Sequence, residues 1–405
     1  MGGLAVTNSI SKKRLQFSGF QFIFWACFAV GPYIVVFLRE QGFQNGKIGL
    51  ILSVNAVIGI VSQPIWGMIS DWLKSYKRVF VLCMSVCSLT YASLFFLHDQ
   101  TYIILLLCVD AFFRCAIVSI TDAWMVSSLA SNSGASISYG SIRLCGSIGF
   151  APMVLLFGLI INGRAVGIIF LIYTLLVVIT LIVALKIKDV HPTAHAGIYN
   201  IRPLKLLKNR HYLIFVIFIF FLSTPNNAAA TFLPNLFEHT GGTMEQYGVM
   251  HSIKALIEVP FFLFGSYLLN RFGHLKLIII SAALYMSQMF LFAHAATPDQ
   301  VMLTQFLQGP AYSLFLVGML NYVFMLSPPE LKATSLTVAN AFGMGLSSIV
   351  GNYGGGLFID HFGLKPMYIV GGISDVIIIA LFVATLIYSG KRHTADISGA
   401  ADSAD

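Results

Sequence analysis

The segments GMISDWLK at residues 67–74 and GSYLLNR at residues 265–271 share one pattern. Each ends a long apolar run with a glycine, three further residues, and then an acid or an amide, which is Asp71 in the first copy and Asn270 in the second. The two glycines are 198 positions apart, close to half of the 405-residue chain. A separation of this size indicates an internal repeat, so the sequence predicts two similar halves.

Around these segments the chain is a succession of apolar runs. Hydrophobic residues make up 57% of the sequence and charged residues only 10%, too few to cover the surface of a water-soluble protein of this length. Runs of about 20 residues can cross a bilayer as helices, because a helix satisfies its own backbone hydrogen bonds. The predicted fold is an all-α membrane protein with twelve transmembrane helices in two pseudo-symmetric six-helix halves, the helices lying at 17–38, 47–69, 79–97, 101–128, 138–161, 164–185, 211–236, 245–269, 274–293, 298–326, 331–359 and 364–390.

The longest break between runs, residues 186–210, is basic and contains Pro192 and Pro203, which is typical of a linker. All six cysteines lie within apolar runs, so we expect them to pack in the interior and predict neither disulfides nor a metal site, and no cofactor. The expected organisation is a tail, a six-helix half, a linker, a second six-helix half and a second tail, at residues 1–16, 17–185, 186–210, 211–390 and 391–405.

The net charge of +8 raises the question of a nucleic-acid partner. However, 17 of the 24 lysines and arginines lie on the two tails and on alternate loops, while four lie on the intervening loops. By the positive-inside rule this pattern places both termini and the 186–210 loop in the cytoplasm, in a multi-pass protein of the plasma (inner) membrane. The charge therefore requires no nucleic acid.

The stretch GMISDWLKSYKR at residues 67–78 resembles the loop motif between helices 2 and 3 of the major facilitator superfamily of transporters. In that motif a glycine and an acid are followed by basic residues, although Ser75 here replaces a second glycine. The resemblance implies that this loop locks the cytoplasmic side by helix contact and charge pairing; the alternative is a basic loop that is only solvated. The expected gating residues in the two copies are Gly67, Asp71, Lys77, Arg78, Asn270 and Arg271.

The fifth run, YGSIRLCGSIGFA at residues 139–151, is similar to the lactose permease and phenylpropionate permease group of that superfamily. In the group the arginine binds sugar, an acid near the end of helix 4 pairs with it, and an aromatic ring stacks on the sugar. The matching positions are Arg143, Asp122 and Phe150. A structural bridge between helices is the alternative for the Asp122 and Arg143 pair.

The resemblance does not extend to the second half. The lysine, histidine and glutamate of helix 10 in the lactose permease fall on Gln305, Gln308 and Ala311, and the helix 9 arginine falls on Gln288. The proton mechanism of that permease is therefore not implied.

Ionisable residues at membrane depth are costly and therefore tend to be functional. Asp110, Arg114 and Asp122 fall on one side of the fourth predicted helix, and Lys254 and Glu258 are one turn apart on the eighth, just before Pro260. We interpret Glu258 with Lys254, and Asp110 with Arg114, as proton-coupling candidates. The alternative for each i, i+4 pair is a neutralised pair that only packs.

Neutral amides and aromatic rings complete the predicted substrate site. Amides suit uncharged polyhydroxylated substrates, although each alone can equally join helices. Beside Asp122, Arg143 and Phe150, the predicted substrate-binding residues are Trp25, Asn226, Asn227, Gln288 and Gln308.

These residues favour a secondary active transporter over an enzyme, because no nucleophile triad or metal cluster occurs at membrane depth. The predicted function is proton-coupled symport of a sugar, oligosaccharide or small polar organic solute by alternating access. An exporter or facilitator of an amphipathic or aromatic compound is the alternative. The expected partners are the substrate, protons and the lipid bilayer, and the expected state is a monomer.

Overall fold

The structure is a computed structural model that describes residues 2–130, 139–189, 209–328 and 331–401, with side chains at 15–128, 142, 144–189, 209–328, 331–332 and 334–388. Most of the predicted linker lies outside these residues. The first half contains α1 Gly2–Cys27, a 3-10 turn Phe28–Tyr33, α2 Ile34–Glu40, α3 Asn45–Leu73, α4 Tyr76–Phe96, α5 Gln100–Ala130, α6 Tyr139–Ile161 and α7 Ile168–Lys186. The second half contains α8 Arg210–Thr231, α9 Leu233–His239, α10 Met244–Leu263, α11 Gly265–Phe272, α12 His274–His294, α13 Pro298–Leu303, α14 Gln305–Leu326, α15 Lys332–Val338, a π-helical turn Ala339–Gly345, α16 Leu346–Phe362 and α17 Leu364–Ala401.

The predicted all-helical membrane fold is confirmed. Within the described residues, ten helical stretches are long and apolar enough to cross a membrane, and the pair α10 and α11, bent by 57°, makes an eleventh. The helix predicted at 331–359 is instead interrupted by the π-helical turn, so that α16, its longest part, has 17 residues. The turn lies where Gly343 packs tightly against Ile219 of α8. Helix continues into both expected tails, since α1 begins at Gly2 and α17 continues to Ala401.

Short polar side chains start several of these helices. The Ser75 hydroxyl accepts a hydrogen bond from the Arg78 amide at the start of α4, and the Asn209 side chain accepts from the His211 and Tyr212 amides at the start of α8. Thr243 and Gln246 form a reciprocal capping box at the start of α10. These caps satisfy amides that the helices themselves leave unpaired, and so define where each span begins.

The backbone shows the repeat more clearly than the side chains do. Six described residues have a positive φ, and they form three pairs: Gly42 with Gly241, Lys74 with Gly273, and Gly163 with Gly363. The members of each pair are 199 or 200 positions apart. The two halves therefore turn their chain at equivalent places, as the repeat of residues 67–74 and 265–271 predicts.

Aromatic clusters form the interior of each half. In the first half the ring of Phe20 lies 5.7 Å from that of Trp124 and also packs on Phe80. In the second half Phe218 stacks on Phe382 at 4.2 Å between ring centroids. Large apolar side chains also cover the outside of the bundle, where a water-soluble protein would place charge, and this surface suits lipid.

Successive spans alternate in direction, so the loops lie at two ends of the bundle. We call these the terminal end and the far end. The terminal end holds the start of α1, the end of α17 and the turns at Lys74 and Gly273. The far end holds the turns at Gly42, Gly163, Gly241 and Gly363.

Candidate functional site

A cavity of about 750 Å³ lies between the two halves, and we call it the central cavity. Its walls come from α1 and α6 of the first half and from α10 and α14 of the second. The lining reaches Phe262 and Leu316, which lie toward the terminal-end parts of α10 and α14. The cavity therefore extends from the middle of the bundle toward the terminal end.

One face of α10 supplies titratable side chains to the central cavity. His251, Lys254 and Glu258 follow one another at helical spacing and all line it. The Lys254 Nζ and Glu258 Oε1 atoms are 4.0 Å apart, and both side chains remain partly exposed. The predicted pair thus faces the cavity as a loose ion pair whose members can each reach a solute. Sequence reasoning missed His251, which the same helical spacing from Lys254 and Glu258 would have found.

Aromatic surface from the first half faces this charged helix across the cavity. Trp25 of α1 and Phe150 of α6, both predicted substrate residues, line the central cavity together with Tyr312 of α14. The Trp25 ring is held by Phe24 and Phe28, whose ring centroids lie 5.8 and 5.1 Å away. A ring-shaped solute can therefore pack against apolar faces while its polar edge meets α10.

A second, smaller pocket of about 50 Å³ collects most of the predicted amides, and we call it the amide pocket. Asn226, Gln288 and Gln308 line it, together with Gln305. His251 and Lys254 line both the amide pocket and the central cavity, so the two spaces are neighbours that share a wall.

Three of the four predicted amides already have partners within the bundle, Asn226 among them through the Leu222 carbonyl. The Gln288 amide donates to the Thr304 carbonyl at 3.3 Å. Asn227 does not line either space, and its amide donates to the Ser347 hydroxyl of α16 at 3.0 Å. The structure therefore brings three predicted amides together and places the fourth in a contact between helices.

A buried carboxyl that sequence reasoning missed lies beyond the amide pocket. Asp375 of α17 is fully buried, and its Oδ2 atom accepts a hydrogen bond of 3.4 Å from Asn226. Glu258 is therefore not the only carboxyl within the second-half spans. A lone aspartate in the apolar run 364–390 was the available signal.

The Asp110 and Arg114 pair lies elsewhere, inside the first half. Its nitrogen and oxygen are 2.8 Å apart, and the Asp110 side chain is fully buried. Asp110 also contacts Cys87 of α4. The pair therefore joins α4 and α5 and does not line the central cavity.

The Asp122 and Arg143 pair is only partly described. Asp122 lies on α5 with a half-buried side chain, and Arg143 lies on α6, but the Arg143 side chain is outside the described residues. Their pairing stays a prediction.

The predicted gating motif lies at the terminal end and is open in this conformation. Gly67 and Asp71 are exposed, and a Cβ atom added to Gly67 would meet nothing within 4 Å, so the expected helix contact is not made. The Lys77 ammonium instead donates to the carbonyls of Leu185 and Ile187, at 2.6 and 2.9 Å, at the end of α7.

The remaining basic residues of the motif act locally or are exposed. Arg78 is an exposed residue whose backbone amide is capped by Ser75. In the second copy, Arg271 donates to the Tyr267 hydroxyl at 3.1 Å, and Asn270 precedes it on α11.

Polar contacts between the halves close the far end. Arg39 of α2 pairs with Glu238 of α9 and donates to Asn235. Asn235 donates to Asn45 at 2.6 Å, and Asn45 donates to Asp360 at 2.9 Å. We call these five residues the far-end seal. Sequence reasoning had no sign of it, because its members look like ordinary loop residues.

Two glycines allow the helices to meet below the seal. A Cβ atom on Gly49 of α3 would collide with the Asn352 carbonyl of α16. On Gly248 of α10 it would lie 2.8 Å from the Val154 carbonyl of α6. The halves are thus in backbone contact toward the far end, while the central cavity extends toward the terminal end.

Comparison with known proteins identifies relatives along almost the whole chain. The family described as MFS_1 like matches residues 14–370. An uncharacterised transporter of Bacillus subtilis, YwbF, is 27% identical over 377 residues, covering 92% of this chain and 93% of the relative. A maltose permease of Geobacillus stearothermophilus is 25% identical over 380 residues, covering 93% and 95%. The crystal structure of the nucleoside transporter NupG superposes with a TM-score of 0.81 at 18% identity, covering 92% of this chain and 98% of that one.

Proposed function

Because the chain belongs to the MFS_1 like family and is a multi-pass transporter of the major facilitator type, we propose that it carries a small polar solute in symport with protons. The observation that carries the proposal is the central cavity, where aromatic faces of α1 and α6 lie opposite the His251, Lys254 and Glu258 face of α10. Neither the aromatic faces nor the α10 face alone forms a binding site for a solute. Together they suit an uncharged solute with a ring and several hydroxyl groups, such as a sugar, an oligosaccharide or a nucleoside.

The two ends of the bundle support alternating access. Within the described residues, the far-end seal closes one side while the central cavity extends toward the other, so the solute site faces the terminal end in this conformation. Opening the seal and closing the terminal end, where Gly67 and Asp71 are now exposed, would turn the site to the opposite side of the membrane. We place the terminal end in the cytoplasm, because most of the basic residues lie there.

Proton coupling is assigned to Glu258. Its partner Lys254 is 4.0 Å away, so the carboxyl can release that contact when it takes up a proton or meets the solute. For substrate binding, we assign directional hydrogen bonds to Asp122 and Arg143, with Phe150 as a stacking surface. Replacing Arg143 by lysine should weaken solute binding at least about tenfold, because a point charge does not reproduce the planar fork.

The test is transport in proteoliposomes. Labelled maltose, other disaccharides and nucleosides would be offered with and without an imposed pH gradient and a proton uncoupler. We expect one solute class to accumulate above equilibrium only when the outside is acidic, and to lose that accumulation with the uncoupler. Transport that is independent of pH and gradient would make the protein a facilitator and overturn the symport.

A further inference from the structure

Asp375 differs in its surroundings from Asp110 and Glu258, two other acidic residues within the spans. Its Oδ1 atom is buried and has no hydrogen-bond partner among the described residues, and its Oδ2 atom accepts only the long hydrogen bond from Asn226. Asp110 and Glu258 each have a basic side chain within 4.0 Å, whereas Asp375 has none among the described residues. An isolated negative charge at this depth is costly, and a proton on Oδ1 removes it.

A polar route connects Asp375 to the central cavity. Asn226 both touches Asp375 and lines the amide pocket, and His251 and Lys254 separate that pocket from the central cavity. A volume of about 50 Å³ is larger than one water requires, and the surrounding glutamines offer it hydrogen-bond partners. Space for a water molecule therefore lies within one side chain, Asn226, of the buried carboxyl.

The hydrogen bond between Asn226 and Asp375 joins α8 to α17 beside a proline in α8. Asn226 lies on α8 next to Pro225, which removes a backbone hydrogen bond from that helix. A Cβ atom added to Gly371 of α17, one turn before Asp375, would lie 3.1 Å from the Pro225 Cβ. Asp375 thus lies one turn from a close contact between α17 and Pro225 of α8.

The other titratable groups around Asp375 come from α12 and α10. Tyr285 of α12 lies within electrostatic reach of both Asp375 and Glu258. His251, Lys254 and Glu258 of α10 face it only across the amide pocket and the central cavity. The described side chains of α8 and α16 bring no charge into contact with it.

We propose that Asp375 is a proton-binding site that exchanges with the central cavity through the amide pocket and Asn226. The proton bonds to Oδ1 when water in the cavity supplies it, and it returns to water when the carboxylate re-forms. A metal cation does not fit, since Asn226 presents an amide N–H to the carboxyl and the side chain is fully enclosed. As a coupling site, Asp375 rests on the proposed symport; as a site of protonation, it does not.

Infrared difference spectroscopy of the purified protein tests the protonation directly. Titration of the wild type should show the carbonyl-stretch band of a protonated, buried carboxyl. We expect this band to disappear in Asp375→Asn, to persist in Glu258→Gln, and to reappear at a shifted frequency in Asp375→Glu. An unchanged band in Asp375→Asn, or a band that responds to sodium and not to pH, would overturn the proposal.

Transport assays distinguish a proton that exchanges on Asp375 from one that stays bound permanently. In proteoliposomes, Asp375→Asn should retain counterflow of labelled solute but lose accumulation driven by a pH gradient, and Asp375→Glu should recover part of it. If Asp375→Asn accumulates solute like the wild type, the proton is structural and the proposal fails. If the wild type itself ignores the gradient, the proposed symport fails, while the infrared result still decides whether Asp375 holds an exchangeable proton.

Discussion

The ion pairs of α5 and α10 have the same spacing in the sequence and opposite surroundings in the structure. Asp110 and Arg114 are 2.8 Å apart, and the carboxyl is sealed between α4 and α5. Lys254 and Glu258 are 4.0 Å apart and open onto the central cavity. An i, i+4 ion pair can therefore be structural or functional. The difference depends on whether another helix covers the pair.

The largest effect should come from breaking the covered pair. Asp110→Asn leaves the Arg114 charge without its partner, and we expect the free energy of unfolding to fall by about 3 kcal/mol. The measurement is denaturant unfolding of the purified protein, with Glu258→Gln as the matched control in the open pair. Replacing both members with apolar residues, Asp110→Leu with Arg114→Met, should recover most of the loss. Equal costs for Asp110→Asn and Glu258→Gln would remove the distinction between the pairs.

Breaking the open pair should affect transport and leave stability nearly unchanged. In Glu258→Gln we expect the free energy of unfolding to change by about 1 kcal/mol or less, because both side chains are partly exposed. Accumulation against a gradient should fall at least about tenfold, equivalent to about 1.4 kcal/mol, while counterflow continues, since exchange needs no deprotonation. Uphill uptake and counterflow in proteoliposomes measure the two separately. Undiminished uphill uptake would move the coupling to another carboxyl, with Asp375 the first to test.

The smallest effect should come from the pair that joins the two halves. Arg39 and Glu238 are exposed by 35% and 59%, so Arg39→Gln should shift the conformational equilibrium toward an open far end by about 1 kcal/mol, or about fivefold. Ser147 of α6 lines the central cavity. The readout is the labelling rate of Ser147→Cys by an impermeant thiol reagent added from the far side, with the native cysteines replaced. Arg39→Lys, which keeps the charge, is the control. Identical labelling in Arg39→Gln and its parent would show that the ion pair does not hold that end closed.

The spans were predictable from the sequence because their length is set by the bilayer and not by the neighbouring helices. The bend of 57° between α10 and α11 was less predictable. It lies at Phe264, beyond Pro260, whose missing backbone donor affects the preceding turn of α10.

The site was less predictable because its properties depend on distant helices. The burial of Asp110 is set by α4, and the exposure of Glu258 is set by the distance between the halves. His251 and Asp375 were visible as residue types but not as neighbours, since only the folded chain brings Asp375 to Asn226 across 149 positions.

The far-end seal has a consequence for how such a chain can arise. Arg39 and Glu238 are 199 positions apart, and each stands three residues before a positive-φ glycine, Gly42 or Gly241. They are the same position in two copies of one unit. Had duplication left the copies identical, arginine would face arginine here, or glutamate would face glutamate, and like charges would push that end apart. Opposite charges at this one position let the two halves attract each other, and a symmetric dimer of either half alone could not make this bond.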